Sequence, residues 1–124
     1  MRGGVMTVLE QVARHTGARL LAGHEPSMWL RGRLVDLVTR WRAGQSLGCA
    51  HLPGAEAWLV ALWDPARVAC PACVPLVLAS GEEDRTCDRC RIVHLDVRPL
   101  LVEALPGVLV TFGLCPSCFG REVP

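Results

Sequence analysis

Four pairs of metal-ligand spacing constrain this 124-residue chain more than any other feature. They are Cys49-x-His51, Cys70-x-x-Cys73, Cys87-x-x-Cys90 and Cys115-x-x-Cys118, separated by 18, 13 and 24 residues, and they use all seven cysteines. Two thiolates with two residues between them can curl around one ion in a tight turn, and two such pairs close a tetrahedron. Disulfides alone would leave one of seven thiols unpaired. A Cys-x-x-Cys redox motif normally stands once, at a helix start, without matching pairs elsewhere. Eight ligands fill two tetrahedral Zn²⁺ sites. One is Cys₃His (Cys49, His51, Cys70, Cys73) and the other Cys₄ (Cys87, Cys90, Cys115, Cys118). Such closed sites make fold and not chemistry. Thiolates also accept iron, so the Cys₄ metal stays open between the two.

Along the chain the pattern predicts a small α+β fold stabilised by zinc. A helical hairpin over 1–47 precedes a binuclear region over 48–124, whose modules span 48–80 and 85–124. Thr7-x-x-Glu10 reads as a capping box, and Leu9, Val12, Ala13, Thr16 and Leu20 recur on one helical face, giving a first helix over 7–21. Gly17 weakens that helix by about 1 kcal/mol relative to Ala. Pro26 suits the first turn of a second helix running to about Ala43, with Gly44 just past its end. Its apolar stripe is Leu30, Leu34, Leu37, Val38 and Trp41. In the first module a strand over 57–62 turns at Asp64-Pro65 and returns through Arg67–Ala69 to Cys70; the apolar run 74–79 reads as a short helix. In the second, a strand over 92–97, a short helix over 99–105 and a strand over 108–114 lead to Cys115. Each module is thus knuckle, β-hairpin, knuckle.

Ligand pair, hairpin, then Cys-Pro-x-Cys opening a helix resembles the treble-clef zinc finger; without the final helix it resembles a zinc ribbon. The resemblance covers residues 48–120 at the level of fold class. It implies structural metals and a role in nucleic-acid binding or protein docking. RING domains also have eight ligands, but their Cys-x-His pair comes second and here it comes first. The hairpin within each module favours sequential over cross-braced ligation.

Enzymatic motifs fail at specific positions. A zinc deaminase needs a catalytic Glu where His51 stands, and Pro before its Cys-x-x-Cys where Ala69 stands. His94 within Ile92–Asp96 suggests a zinc-containing HNH nuclease, yet the chain has no Asn and no His after His94. No phosphate loop or nucleophile elbow occurs, and no small-molecule substrate is evident. The expectation is a non-enzymatic recognition protein with two structural Zn²⁺, acting as a regulatory adaptor on a protein partner or on nucleic-acid machinery. The alternatives are direct DNA or RNA binding through the N-terminal helices and a zinc-linked thiol redox switch.

Charge bears on the choice of partner. All thirteen cations are Arg. Residues 1–47 hold seven of them against three acids, a formal +4, and residues 48–124 hold six against nine, a formal −3. Arg31, Arg33, Arg40 and Arg42 decorate the second helix and form the candidate nucleic-acid surface. The pI of about 7.6 is nevertheless below that of a dedicated nucleic-acid-binding domain. Trp29 and Trp63, near element ends, are candidate partner contacts, whereas Trp41 and Trp58 suit the core. No apolar run approaches the ~18 residues of a membrane span, and Glu10 interrupts any signal-peptide stretch. A reducing cytoplasm is the expected compartment.

Overall fold

The computed structural model describes residues 12–14, 17–44, 47–48, 57–70, 72–73 and 85–123. Six strands form one mixed sheet: β1 (Arg19–Leu20), β2 (Leu47–Gly48), β3 (Trp58–Ala61), β4 (Asp64–Ala69), β5 (Arg98–Leu105) and β6 (Val108–Leu114). Their order is β1-β5-β6-β3-β4-β2. Two antiparallel hairpins, β3–β4 and β5–β6, lie side by side, joined where β3 runs parallel to β6 from Trp58↔Val108 to Ala61↔Thr111. The short strands β1 and β2 add parallel edges to β5 and β4. The two hairpins expected as tandem modules are therefore neighbours in one sheet.

Side-chain alternation divides the core into two layers. Val60, Val68, Leu100, Val102, Val110, Phe112 and Leu114 face one side. Leu59, Ala69, Leu101 and Leu109 face the other, with Val12 and Ala18 packed on them. Every residue of β6 is buried because both of its faces are covered.

Helix α1 (Met28–Arg42) lies on the first side. Ser27 caps it, its Oγ accepting from the Leu30 N–H at 3.2 Å. It ends where Ala43 and Gly44 donate back to Thr39 and Trp41, with Gly44 left-handed at φ +73°. The expected stripe is the one that packs. Leu30 and Leu37 are buried, Leu34 and Val38 lean on the core, and the Trp41 ring meets Trp58 edge-on at 4.5 Å. A second helix, α2 (Pro116–Glu122), follows Cys115 with Pro116 in its first turn.

Several expectations need correction. The first helix does not run to Leu21: residues 12–14 are helical, but Gly17 turns left-handed at φ +68° and Arg19–Leu20 becomes β1. Val12 and α1 lie on opposite sides of the sheet, so the described residues form no helical hairpin. The segment 99–105 is part of strand β5, not a helix. Its centre, Leu100, Leu101 and Val102, is buried on both faces while Pro99 and Glu103 are exposed, and periodicity alone cannot separate such a short buried run from a buried helix. Pro99 is tolerated near the start of a strand. Residues 92–97 form no strand beyond a single bridge, Thr86↔Val93. The Thr7 capping box, Cys49, His51 and the apolar run 74–79 lie outside the described residues.

Candidate metal centre

Two segments bring four cysteines together. Cys87-Asp-Arg-Cys90 forms a tight turn, closed by the Cys87 N–H on Ile92 O (3.0 Å) and the Arg91 N–H on Cys87 O (2.9 Å). Arg91 takes the left-handed conformation that completes the turn, at φ 60°. Cys115 follows the end of β6 and occupies the N-cap position of α2, and Cys118 lies in the first turn of that helix. The four Sγ atoms all lie within 4.8 Å of one another, with Cys90 and Cys115 at 4.0 Å. Metal–sulfur bonds of about 2.3 Å in a tetrahedron need sulfurs about 3.8 Å apart, so the group could hold one metal ion. None of the four is in a disulfide. Pairing 87/90 with 115/118 is the sequential arrangement expected over the cross-brace.

The turn aims backbone donors at sulfur. Burial opposes ionisation of Cys87, yet hydrogen bonds from the backbone of Cys90, Cys115 and Arg89 and from the Cys90 side chain outweigh it and bring the thiol down to about 7. At Cys118, burial and then the hydrogen-bonded neighbours Cys115 and Cys87 push the thiol up to about 12. Desolvation at the sulfur, with Cys87 and Cys115 beside it, also raises Cys90, although that residue as a whole is exposed. Thiols packed this close resist ionising together, and a bound cation would remove that resistance. A tetrahedron closed by four protein thiolates keeps no position open for substrate.

Residues around the cysteines hold the turn against the sheet. Asp88 is buried and clamps β6 in both directions: its N–H donates to Gly113 O (2.8 Å), and its Oδ2 accepts from the Gly113 N–H (2.6 Å). Arg91 Nη1 donates to the other carboxylate oxygen at 3.3 Å. A Cβ on Gly113 would come within 2.7 Å of Val97 Cγ1, so this close approach needs glycine. His94 Nε2 stands 3.6 Å from Cys90 Sγ. At the far end of α2, the buried Glu122 carboxylate meets His24 Nε2 at 2.6 Å, accepts the Ser27 N–H at 2.9 Å and also takes the Ser27 hydroxyl. Sequence reading missed Asp88, Gly113 and Glu122 because their partners lie 25 to 98 residues away. Of the three, only Asp88 carried a sequence signal, an acid inside a Cys-x-x-Cys turn.

The other candidates are placed as follows. Cys70 and Cys73 form a turn at the end of β4, with the Cys73 N–H on Cys70 O at 2.9 Å. On α1, Arg31 pairs with Glu25 (3.2 Å), Arg40 with Asp36 (3.2 Å), and Arg33 donates to Leu62 O (3.0 Å); Arg42 is exposed. Trp29 is half-buried, edge-on to Phe112 at 6.2 Å and under the Arg89 guanidinium at 5.6 Å. Trp63 is half-buried in the β3–β4 turn. Among the described residues no helix is long and apolar enough to cross a membrane. Comparison with family models, curated proteins and solved structures finds no match to this chain.

Proposed function

We propose that Cys87, Cys90, Cys115 and Cys118 hold a structural Zn²⁺, and that the protein is a non-enzymatic recognition protein, an adaptor that docks on a protein partner. The observation that carries this is the closed group of four sulfurs, supplied by a knuckle and by the start of a helix on either side of the hairpin β5–β6. Knuckle, hairpin and helix in that order resemble the treble clef, whose metal serves the fold. A second Zn²⁺ at Cys49, His51, Cys70 and Cys73 is part of the same reading. Its support is topological: β2 runs parallel to β4 with Gly48 opposite Val68, and in sequence Cys49 follows β2 as Cys70 follows β4. The ion pairs of Arg31 with Glu25 and of Arg40 with Asp36 leave α1 fewer unpaired cations for a nucleic-acid backbone than the sequence offers.

Native mass spectrometry of protein purified in reductant without added metal tests the reading. Two zinc ions per chain are expected. Cys118→Ser should lose one of them and cost several kcal/mol, given the ~10–16 kcal/mol apparent binding energy of a structural site. A Cys118→Ser variant that stays fully folded with both metals would refute the assignment. So would wild-type protein two hydrogens lighter per cysteine pair, the mark of disulfides.

A further inference from the structure

The Cys87–Cys90 turn leads into an apolar loop that no described element covers. Ile92 is 58%, Val93 49% and Leu95 97% exposed, three of the five large hydrophobic residues found exposed among the described residues. The loop is held rather than loose: Ile92 O and Arg85 O accept from the Cys87 and His94 N–H groups, and Val93 bridges to Thr86. Exposed aliphatic side chains on a rigid support are a docking feature, because little ordering entropy remains to be lost on binding.

Charge around the loop narrows the occupant. Arg85 begins the turn and Arg98 begins β5, three residues after Leu95. Arg19, on β1 beside β5, stacks on the Phe119 ring together with Arg98, at 5.6 and 5.1 Å from its centroid. None of these three arginines forms an ion pair among the described residues, unlike Arg31, Arg40, Arg67 and Arg91. Stacking fixes a guanidinium plane while leaving its edge donors for a carboxylate. Asp96 is the one acid within the loop's own run 92–98, and Glu82, Glu83 and Asp84 precede Arg85 in sequence.

We propose that the loop 92–95, rimmed by Arg19, Arg85 and Arg98, is the docking surface of this protein, and that its occupant is an acidic amphipathic segment of another protein. Aliphatic side chains in the centre with arginines at the rim match the anatomy of a protein interface. A nucleic acid would use the arginines and leave Leu95 in water. A second copy of the chain would set one arginine rim against another. The proposal rests on the recognition reading above.

The test uses the full zinc-loaded chain, with metal content measured on the same preparation. Short random peptides displayed on phage are selected against it, and the enriched sequences are synthesised and titrated by fluorescence anisotropy. Peptides combining Leu, Ile, Phe or Trp with Asp or Glu are expected. Their affinity should fall about tenfold or more in Leu95→Asp and in Arg98→Glu, and should weaken with salt. Leu95 is almost wholly exposed, so its substitution should leave zinc content and folding unchanged. Enriched peptides that bind both variants as well as wild type would overturn the surface while leaving the recognition reading standing. Loop-dependent binding of a single-stranded oligonucleotide or of phosphatidylserine vesicles in place of peptides, or dimerisation abolished by Leu95→Asp, would overturn the acidic peptide as the occupant. No peptide binding by a chain that carries its zinc would overturn the docking proposal without touching the metal assignment.

Discussion

Arg91 occupies a conformation that the cysteine turn imposes and that its own side chain does not favour. The chain must reverse directly after Cys90 so that the Arg91 N–H can reach Cys87 O, and this sets φ at 60°. A side chain with a Cβ pays about 1–2 kcal/mol there. The Arg91–Asp88 ion pair offsets part of this, although its guanidinium side is half-exposed and the pair is correspondingly weak. Arg91→Gly removes strain and ion pair together and should leave stability within about 1 kcal/mol of wild type. Arg91→Val puts a β-branched residue in the same place and should destabilise by about 1–2 kcal/mol or more with zinc retained. Urea unfolding of the zinc-loaded proteins separates the two; equal stabilities for Gly and Val would contradict the strain argument. At this scale the sulfur ligands were legible because their spacing is covalent. The residues that seat them were not. Asp88 reads as one more polar turn residue until Gly113, 25 positions on, supplies its partner.

Between elements, the N-terminus of α1 is capped by a residue of α2. In a local capping box the N-cap hydroxyl takes the N–H three residues on, and a Glu at that third position returns to the N-cap N–H. Here Ser27 does the first, but the third residue is Leu30, and Glu122 accepts the Ser27 N–H instead. The helix that Cys115 and Cys118 begin thus completes the cap of the other helix. Burial works against the Glu122 carboxylate, but the Ser27 hydroxyl, the Ser27 N–H and His24 outweigh it and hold its pKa below the ordinary 4.5. A lowered carboxyl pKa contributes stability that is present above the unfolded value and is lost as pH falls through the folded one. Wild type should therefore lose stability below about pH 4.5 more steeply than Glu122→Gln. Any release of metal in acid would be common to both proteins, so the difference between their pH–stability curves isolates the carboxylate; parallel curves would exclude this role. Ser27→Ala should cost about 1 kcal/mol or more, since it removes the cap and leaves a buried carboxylate short of a donor. At this scale α1 was legible because one face repeats at helical period. Strand β5 was not, because its central Leu100, Leu101 and Val102 are buried on both faces of the sheet, which erases the alternation that marks a strand.

At the scale of the molecule, the parallel pairing of β3 with β6 decides how far the four-cysteine group reaches. Two tandem zinc modules would each bury their own hairpin and unfold separately. In one continuous sheet, Val60 and Val68 of the first hairpin share a core with Val102, Val110 and Phe112 of the second and with Leu30 and Leu37 of α1. Sequence halves also misplace charge: Arg19 comes from the basic N-terminal stretch, yet it stacks on Phe119 beside Arg98 at the metal-binding end. A perturbation at Cys87, Cys90, Cys115 and Cys118 should therefore cross the sheet. Cys118→Ser should loosen the start of α2, and with it the hold of Glu122 on the α1 cap and the packing of Cys115 and Cys118 in the shared core. Thermal unfolding should remain a single transition, shifted downwards, because small domains with one shared core unfold cooperatively. Hydrogen exchange should rise in β3 as well as in β5 and β6, since the backbone of β3 is paired to β6 along its whole length. Two resolved transitions, or loss of protection confined to β5, β6 and α2, would mean that each hairpin stands on its own metal and that the shared sheet adds little.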